Sequence, residues 1–116
     1  MLLLNLRVLQ VLLTHKALAE TIGTFTVIFV GVGSIILTER CPHIFPTFII
    51  PIAWGSTIAL IIFAVSHISG AHFNPAVTLA FVAAKRMPLA LVPLYWTSQM
   101  IGGLAAISLL EVVKKI

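Results

Sequence analysis

The sequence contains no aspartate, one cysteine, one tyrosine and only ten charged residues in 116. Each shortage excludes something. Without an aspartate to orient an imidazole, Ser66, Ser69 and His67 make a poor hydrolase constellation, and Glu39 is assigned to the separate loop around Pro42. One cysteine, Cys41, permits no internal disulfide. His67 and His72 lie five apart with no Asp, Glu or Cys nearby, too thin a ligand set for a metal. Charge is the most telling shortage. Soluble domains carry about 25% charged residues; this chain has 9%, against 60% hydrophobic residues and a mean hydropathy of +1.18. A chain this short has a large surface for its volume, so a soluble domain is excluded and lipid is the fitting solvent. Neither an enzyme, nor a bound metal or cofactor, nor a nucleic-acid partner is expected. The net charge of +4 comes from seven Lys and Arg placed singly or in pairs between uncharged runs, as anchors at membrane boundaries are.

Three uncharged runs stand between those charges: Thr21 to Thr38, Cys41 to Ala84 and Met87 to Leu110. A spanning helix needs about 20 mostly apolar residues, so the first and third runs each fit one span, near 17–37 and 89–112. The middle run opens on a proline loop and continues as a helix over 47–66, with Pro51 tolerated in its first turn. His67-Ile-Ser-Gly-Ala-His-Phe-Asn-Pro follows, poor in helix formers, then a short apolar piece up to Lys85-Arg86. About nine helical residues reach only ~14 Å. Residues 67–84 are therefore expected to be re-entrant, which membranes tolerate where loose backbone lines a wet cavity or packs in protein. Residues 1–16 form an interfacial helix or extended tail, with a secretory signal as the lesser alternative; residues 17–116 form the membrane unit.

Small residues recur at spacings of four: Ser98, Gly102 and Ala106; Gly23, Val27 and Gly31, where valine interrupts the small pair; Gly55 and Ala59. Such faces let membrane helices approach closely, although a Gly- and Ala-rich chain also produces them by chance. Trp54 and Trp96 fit an interfacial belt. Glu20, alone in an apolar stretch, either stays wet at the interface or needs a buried partner.

Asn74-Pro75-Ala76 is a helix start. Asn is a favoured cap, and proline at the first helical position lacks an N–H the helix does not need. At mid-membrane this turn presents the positive end of a helix dipole, an amide donor and the carbonyls of the preceding residues. It thus offers both donors and acceptors to a molecule shedding water, with no formal charge.

His67-Ile-Ser-Gly-Ala-His-Phe-Asn-Pro-Ala-Val-Thr resembles the first pore loop of the aquaporin and glycerol-facilitator family, the major intrinsic proteins. Ala19-Glu-Thr-Ile-Gly-Thr-Phe resembles the start of that family's first helix, and Tyr95-Trp-Thr-Ser-Gln-Met-Ile-Gly its third. The resemblance covers roughly 17–112. It implies one repeat of an all-helical inverted-repeat membrane fold: three spans and one re-entrant half-helix, the N-terminal half of a passive channel for water or small uncharged solutes such as glycerol. It implies that Asn74, Pro75 and Ala76 sit at the channel centre. The carbonyls of Gly70, Ala71, His72 and Phe73 would form a polar track, with Glu20 and Gln99 bracing the loop. Trp54 would stand in the narrow filter, in the manner of glycerol-permeating and nodulin-like members.

The second Asn-Pro-Ala turn and its following arginine are absent, and Val77 takes the arginine's place. The chain is expected to need a complementary half or antiparallel self-association, within the family's tetramer; the alternative is a non-conducting fragment or small assembly subunit. The expected location is the cell membrane, inner or plasma. The Lys and Arg divide weakly: Arg7, Lys16, Lys85 and Arg86 inside, Arg40, Lys114 and Lys115 outside.

Overall fold

The computed structural model describes residues 1–116. Four α-helices make up the chain, with no strand: α1 (Leu2–Arg40), α2 (Ile49–Ser69), the short α3 (Pro75–Ala83) and α4 (Val92–Lys115), the last entered through a 3-10 turn at Leu89–Leu91. α1, α2 and the Leu89–Lys115 helix are each long and apolar enough to cross a membrane.

The helix ends follow local chemistry. Pro51 falls in the first turn of α2 and Pro93 in that of α4, where a helical N–H has no partner to lose. α3 begins at Asn74, whose side-chain oxygen accepts from the Ala76 N–H at 2.8 Å, with Pro75 next. α2 ends at Gly70, which takes φ +90° and donates its N–H to the Ser66 carbonyl; that left-handed backbone suits glycine.

Some boundaries differ from expectation. No break separates residues 1–16 from the first span: α1 is continuous from Leu2, since neither glycine nor proline occurs before Gly23 and the Leu, Gln, Lys and Ala there favour helix. Glu39 lies in the last turns of α1, not in a loop. α2 runs to Ser69 rather than stopping at Ser66, because its last carbonyls find distant partners. Lys16 Nζ donates to the Ile68 carbonyl at 3.1 Å, and the Tyr95 hydroxyl donates to that of Ser69.

α1 is the common support. α4 runs parallel to it: Glu20 meets Gln99, Thr21 meets Gly102, Gly33 meets Leu110, and Arg40 donates to the Lys114 carbonyl. α2 runs antiparallel, with Trp54 against Gly31 and Ser69 against Glu20. Beyond Ser69 the chain turns back into the bundle. Phe73 reaches Gly23, and Asn74 stands beside Val27. α3 then runs outward again, bringing Phe81 to a cavity shared with Lys16 and Arg86. The segment thus enters and leaves at one end of the bundle.

Small and polar side chains dominate the interior, beside an apolar cluster of Met87, Val92 and Tyr95. α1 buries Ala19, Glu20, Gly23, Thr24, Val27, Gly31, Ser34 and Thr38; α4 buries Ser98, Gln99, Gly102 and Ala106 among others. Large apolar residues such as Ile22, Leu60, Phe63 and Leu104 face outward, an arrangement suited to lipid, where association rests on close packing rather than hydrophobic exclusion. Gly102 shows the requirement: a Cβ there would lie 2.2 Å from the Thr21 carbonyl oxygen. Two of the three small-residue series lie in these interfaces. Gly55 and Ala59 do not; both are exposed, and a Cβ on Gly55 would meet open space.

Candidate functional site

Residues 70–73 form a loop with unusual backbone. Ala71 and Phe73 both take positive φ, 56° and 53°, next to Gly70. Left-handed conformation costs a non-glycine residue about 1–2 kcal/mol, so tertiary contacts must hold the loop. Glu20 does this. It is 0% exposed and accepts four hydrogen bonds. Oε1 takes the Ser69 hydroxyl at 2.7 Å and the His72 N–H at 2.9 Å; Oε2 takes the Phe73 N–H at 2.8 Å and Gln99 Nε2 at 2.9 Å. A carboxylate so placed needs every lone-pair region filled, and here the donors come from the α2 terminus, the loop and α4. Of the alternatives open for Glu20, the buried, partnered one is observed.

A second centre lies at Thr78, also 0% exposed. Its hydroxyl donates to the Asn74 carbonyl at 3.2 Å and accepts from Gln99 Nε2 at 3.0 Å. With its one hydrogen committed, the 3.1 Å contact to His72 Nδ1 requires that nitrogen to be the donor. His72 therefore points into the protein, its ring tilted against those of Phe81 and Tyr95, while its backbone belongs to the loop. Phe73 packs into the space left by Gly23. Trp96, expected in an interfacial belt, donates Nε1 to the Pro75 carbonyl at 3.3 Å and so ties α4 to the first turn of α3.

The other face of the loop is free. The carbonyls of Gly70, Ala71, His72 and Phe73 accept no hydrogen bond from the chain, and Asn74 Nδ2 donates none. Asn74, Pro75 and Ala76 are exposed. Asn74, Phe73, Ala71, His72 and Val77 border a 290 Å³ cavity whose opposite wall is Trp54 with Ile58, Ile62, Val27 and Ile28. Trp54 is half-buried on Gly31, and its Nε1 has no partner in the chain. The structure thus brings Asn74, loop residues 71–73 and Trp54 to one cavity, leaves Gly70 at the separate cavity of Lys16 and Arg86, and gathers Glu20 and Gln99 behind the loop. The cavity can present an amide donor, acceptors, a helix N-terminus and an apolar wall to a small neutral molecule. No three His, Cys, Asp or Glu residues come together.

Sequence reasoning missed Ser69, Thr78, Tyr95 and Lys16 as loop supports. Two signals were available. Thr78 lies one helical turn after Asn74, and Tyr95 is the single tyrosine, whose hydroxyl needs a partner once buried.

Residues 7–116 match the family model described as Major intrinsic protein. The chain is similar to Nodulin-26 of Glycine max, 40% identical over 92 residues, covering 79% of this chain and 34% of that protein. It is also 40% identical to Aquaporin NIP1-1 of Arabidopsis thaliana over 99 residues, 85% of this chain and 33% of that one. Aquaporin Z of Photorhabdus laumondii is 41% identical over 100 residues, 85% of this chain and 43% of that protein. The chain spans about a third of the length of the two plant relatives.

Proposed function

Because the chain belongs to the major intrinsic protein family, we propose that it builds one half of a passive channel for water and small uncharged solutes such as glycerol. A second unit with its own Asn-Pro-Ala turn completes the pore, on the same polypeptide or another. The observation that carries this reading is the set of unpartnered groups on the residues bordering the 290 Å³ cavity: the carbonyls of residues 71–73 and Asn74 Nδ2, across from Trp54.

In this reading a solute leaves its water shell by trading hydrogen bonds along the carbonyl track and accepting one from Asn74 at the centre. Pro75 and Ala76 keep the first turn of α3 slim there. The positive end of α3 repels cations. Trp54 narrows the passage with an apolar wall and one N–H. Glu20 and Gln99 touch no solute; they hold the loop in its left-handed form so that its carbonyls face the passage. Unsatisfied backbone costs several kcal/mol per group in hydrocarbon, which supports a wet pore, closed by a second half, over a loop facing lipid. The family's tetramer and the cell membrane are the assembly and location this reading favours. Residues 1–16 carry α1 beyond the hydrocarbon core, since the unbroken helix at ~1.5 Å per residue far exceeds a core of about 30 Å.

Stopped-flow shrinkage of vesicles tests the proposal. The chain alone should leave water permeability near the lipid background, and a complementary half bearing the filter arginine should raise it. Permeability per protomer matching a complete two-repeat channel, from the chain alone, overturns the half-pore. No rise with any complementary half leaves the rival, a non-conducting membrane component.

A further inference from the structure

A second cavity, of 260 Å³, opens where α2 ends and α4 begins, on the charged side of the re-entrant segment. Its lining includes Lys16, Ser66, His67, Arg86, Leu91 and Tyr95. At this end of the bundle the side chains without partners are donors, and the free carbonyls of the lining residues Gly70 and His72 belong to the loop already described. Lys16 Nζ uses one of its three N–H groups on the Ile68 carbonyl at 3.1 Å, which fixes the ammonium in place and leaves two. The Arg86 guanidinium, the His67 ring and the Ser66 hydroxyl make no hydrogen bond within the chain. No carboxylate lines the cavity. Glu20, the one acid in this half of the molecule, is 0% exposed with both oxygens engaged. The opposite end is mixed in sign, with exposed Glu39 and Glu111 among Arg40, Lys114 and Lys115.

We propose that this cavity binds a phosphate group, with Lys16 and Arg86 as its cationic jaws and Ser66 and His67 as further hydrogen-bond partners. A two-cation, acid-free pocket suits an anion with several acceptor oxygens, and an arginine fork matches phosphate geometry. The volume is several times the ~30 Å³ of a water molecule. Lys85 and Arg86 close the uncharged run on this side, so the pocket lies at headgroup depth, where basic clusters beside spanning helices meet anionic lipids. Leu91 and Tyr95 supply an apolar edge for the rest of an amphiphile. The phosphate therefore comes from a lipid headgroup or from free phosphate in solution.

Native mass spectrometry of the purified full chain in detergent reads the site. The probes are phosphatidylglycerol, phosphatidylcholine, diacylglycerol and inorganic phosphate. Phosphatidylglycerol should be retained over phosphatidylcholine and diacylglycerol. Arg86→Gln should weaken retention about fivefold, the effect of one cation near an anionic lipid, and Arg86→Lys should recover most of it. Arg86 is the informative variant because its side chain supports nothing else in the chain, whereas Lys16→Gln also uncaps α2. Inorganic phosphate binding with the same dependence on Arg86 makes the site one for phosphate from either source; lipid retention alone makes it a headgroup site. Equal retention of phosphatidylglycerol and diacylglycerol overturns the proposal. So does an equal loss from the paired control Lys114→Gln with Lys115→Gln, because the effect would then be diffuse charge. None of these readings depends on conduction, so the site stands or falls apart from the channel.

Discussion

α1 has two neighbours, and it meets them by different chemistry. Against α4 it presents small residues and buried polar groups, close enough that Gly102 admits no Cβ beside the Thr21 carbonyl and Gln99 reaches Glu20. Against α2 it offers Gly31 as a seat for Trp54, and of all α2 only Ser69 is buried. The α1–α4 seam supplies most of the buried residues of the chain. α2 lays one half-buried stripe, Ala53, Trp54, Thr57, Ile61, Val65 and Ile68, along the bundle and turns most of its surface outward. Rigidity is thus concentrated behind the re-entrant loop, and the faces that remain open are those beside the cavity of Asn74 and Trp54. A scaffold for a pore needs this division, with one side locked and the other available to a partner or to solute.

The largest effect should come from breaking the locked side at its centre. Glu20→Ala leaves three buried donors and the part-buried Phe73 N–H unpaired, at about 1–3 kcal/mol for each buried one before relaxation. The loop should open, and hydrogen exchange at the His72 and Phe73 amides should approach that of exposed backbone. Protection that survives in this variant would mean that Thr78 and Tyr95 suffice. Gly102→Leu comes next. Its side chain meets backbone rather than a yielding side chain, so the helices must part, at a cost of about 1–3 kcal/mol or more, read as a lower unfolding midpoint in detergent.

On the open side the expected changes are in transport rather than in fold. Asn74→Asp keeps a competent helix cap but sets a carboxylate at the cavity, where a charge at membrane depth costs about 3 kcal/mol. Neutral flux through the completed pore should fall about tenfold or more, or cation leak should appear, in vesicle assays. Trp54→Ala should shift the size cutoff across a graded set of polyols upward with little loss of water flux; an unmoved cutoff assigns Trp54 to packing on Gly31 alone. The smallest effect belongs to Gly55→Leu. Its position faces open space, so the midpoint of the chain by itself should stay within about 0.5 kcal/mol of the parent, as surface changes do. A drop seen only with the complementary half present would mark this face as the pairing surface.

Much of this division was legible in the residues. Charge-free runs of span length announced the membrane helices, because backbone in lipid must satisfy itself and charge must stay at the boundary. Asn74-Pro75 announced the start of α3 for reasons internal to the first turn. Gly70, by contrast, did not reveal that α2 persists to Ser69, since that end depends on Lys16 and Tyr95, far away in sequence. The two candidate roles of Glu20 stayed open for the same reason: only a fold that brings residues 69, 72, 73 and 99 to one carboxylate separates a buried brace from a wet interfacial side chain. Gly55 and Ala59 show the converse. Their spacing matches that of Ser98, Gly102 and Ala106, yet one pattern packs within the chain and the other does not.

By itself the sequence determined the solvent of this protein, its helical spans, its half-length re-entrant piece and the cap that starts it. These follow from local rules of hydropathy, helix length and backbone hydrogen bonding. Tertiary structure alone decided which face of the loop is bound and which is free. Left-handed residues at 71 and 73 persist only because a carboxylate more than fifty positions away takes the amides of His72 and Phe73. Those contacts leave the loop carbonyls unpartnered, with residues 71–73 at the cavity that Trp54 borders. Long-range hydrogen bonds of this kind leave no periodic trace in a chain; they exist once the helices have packed.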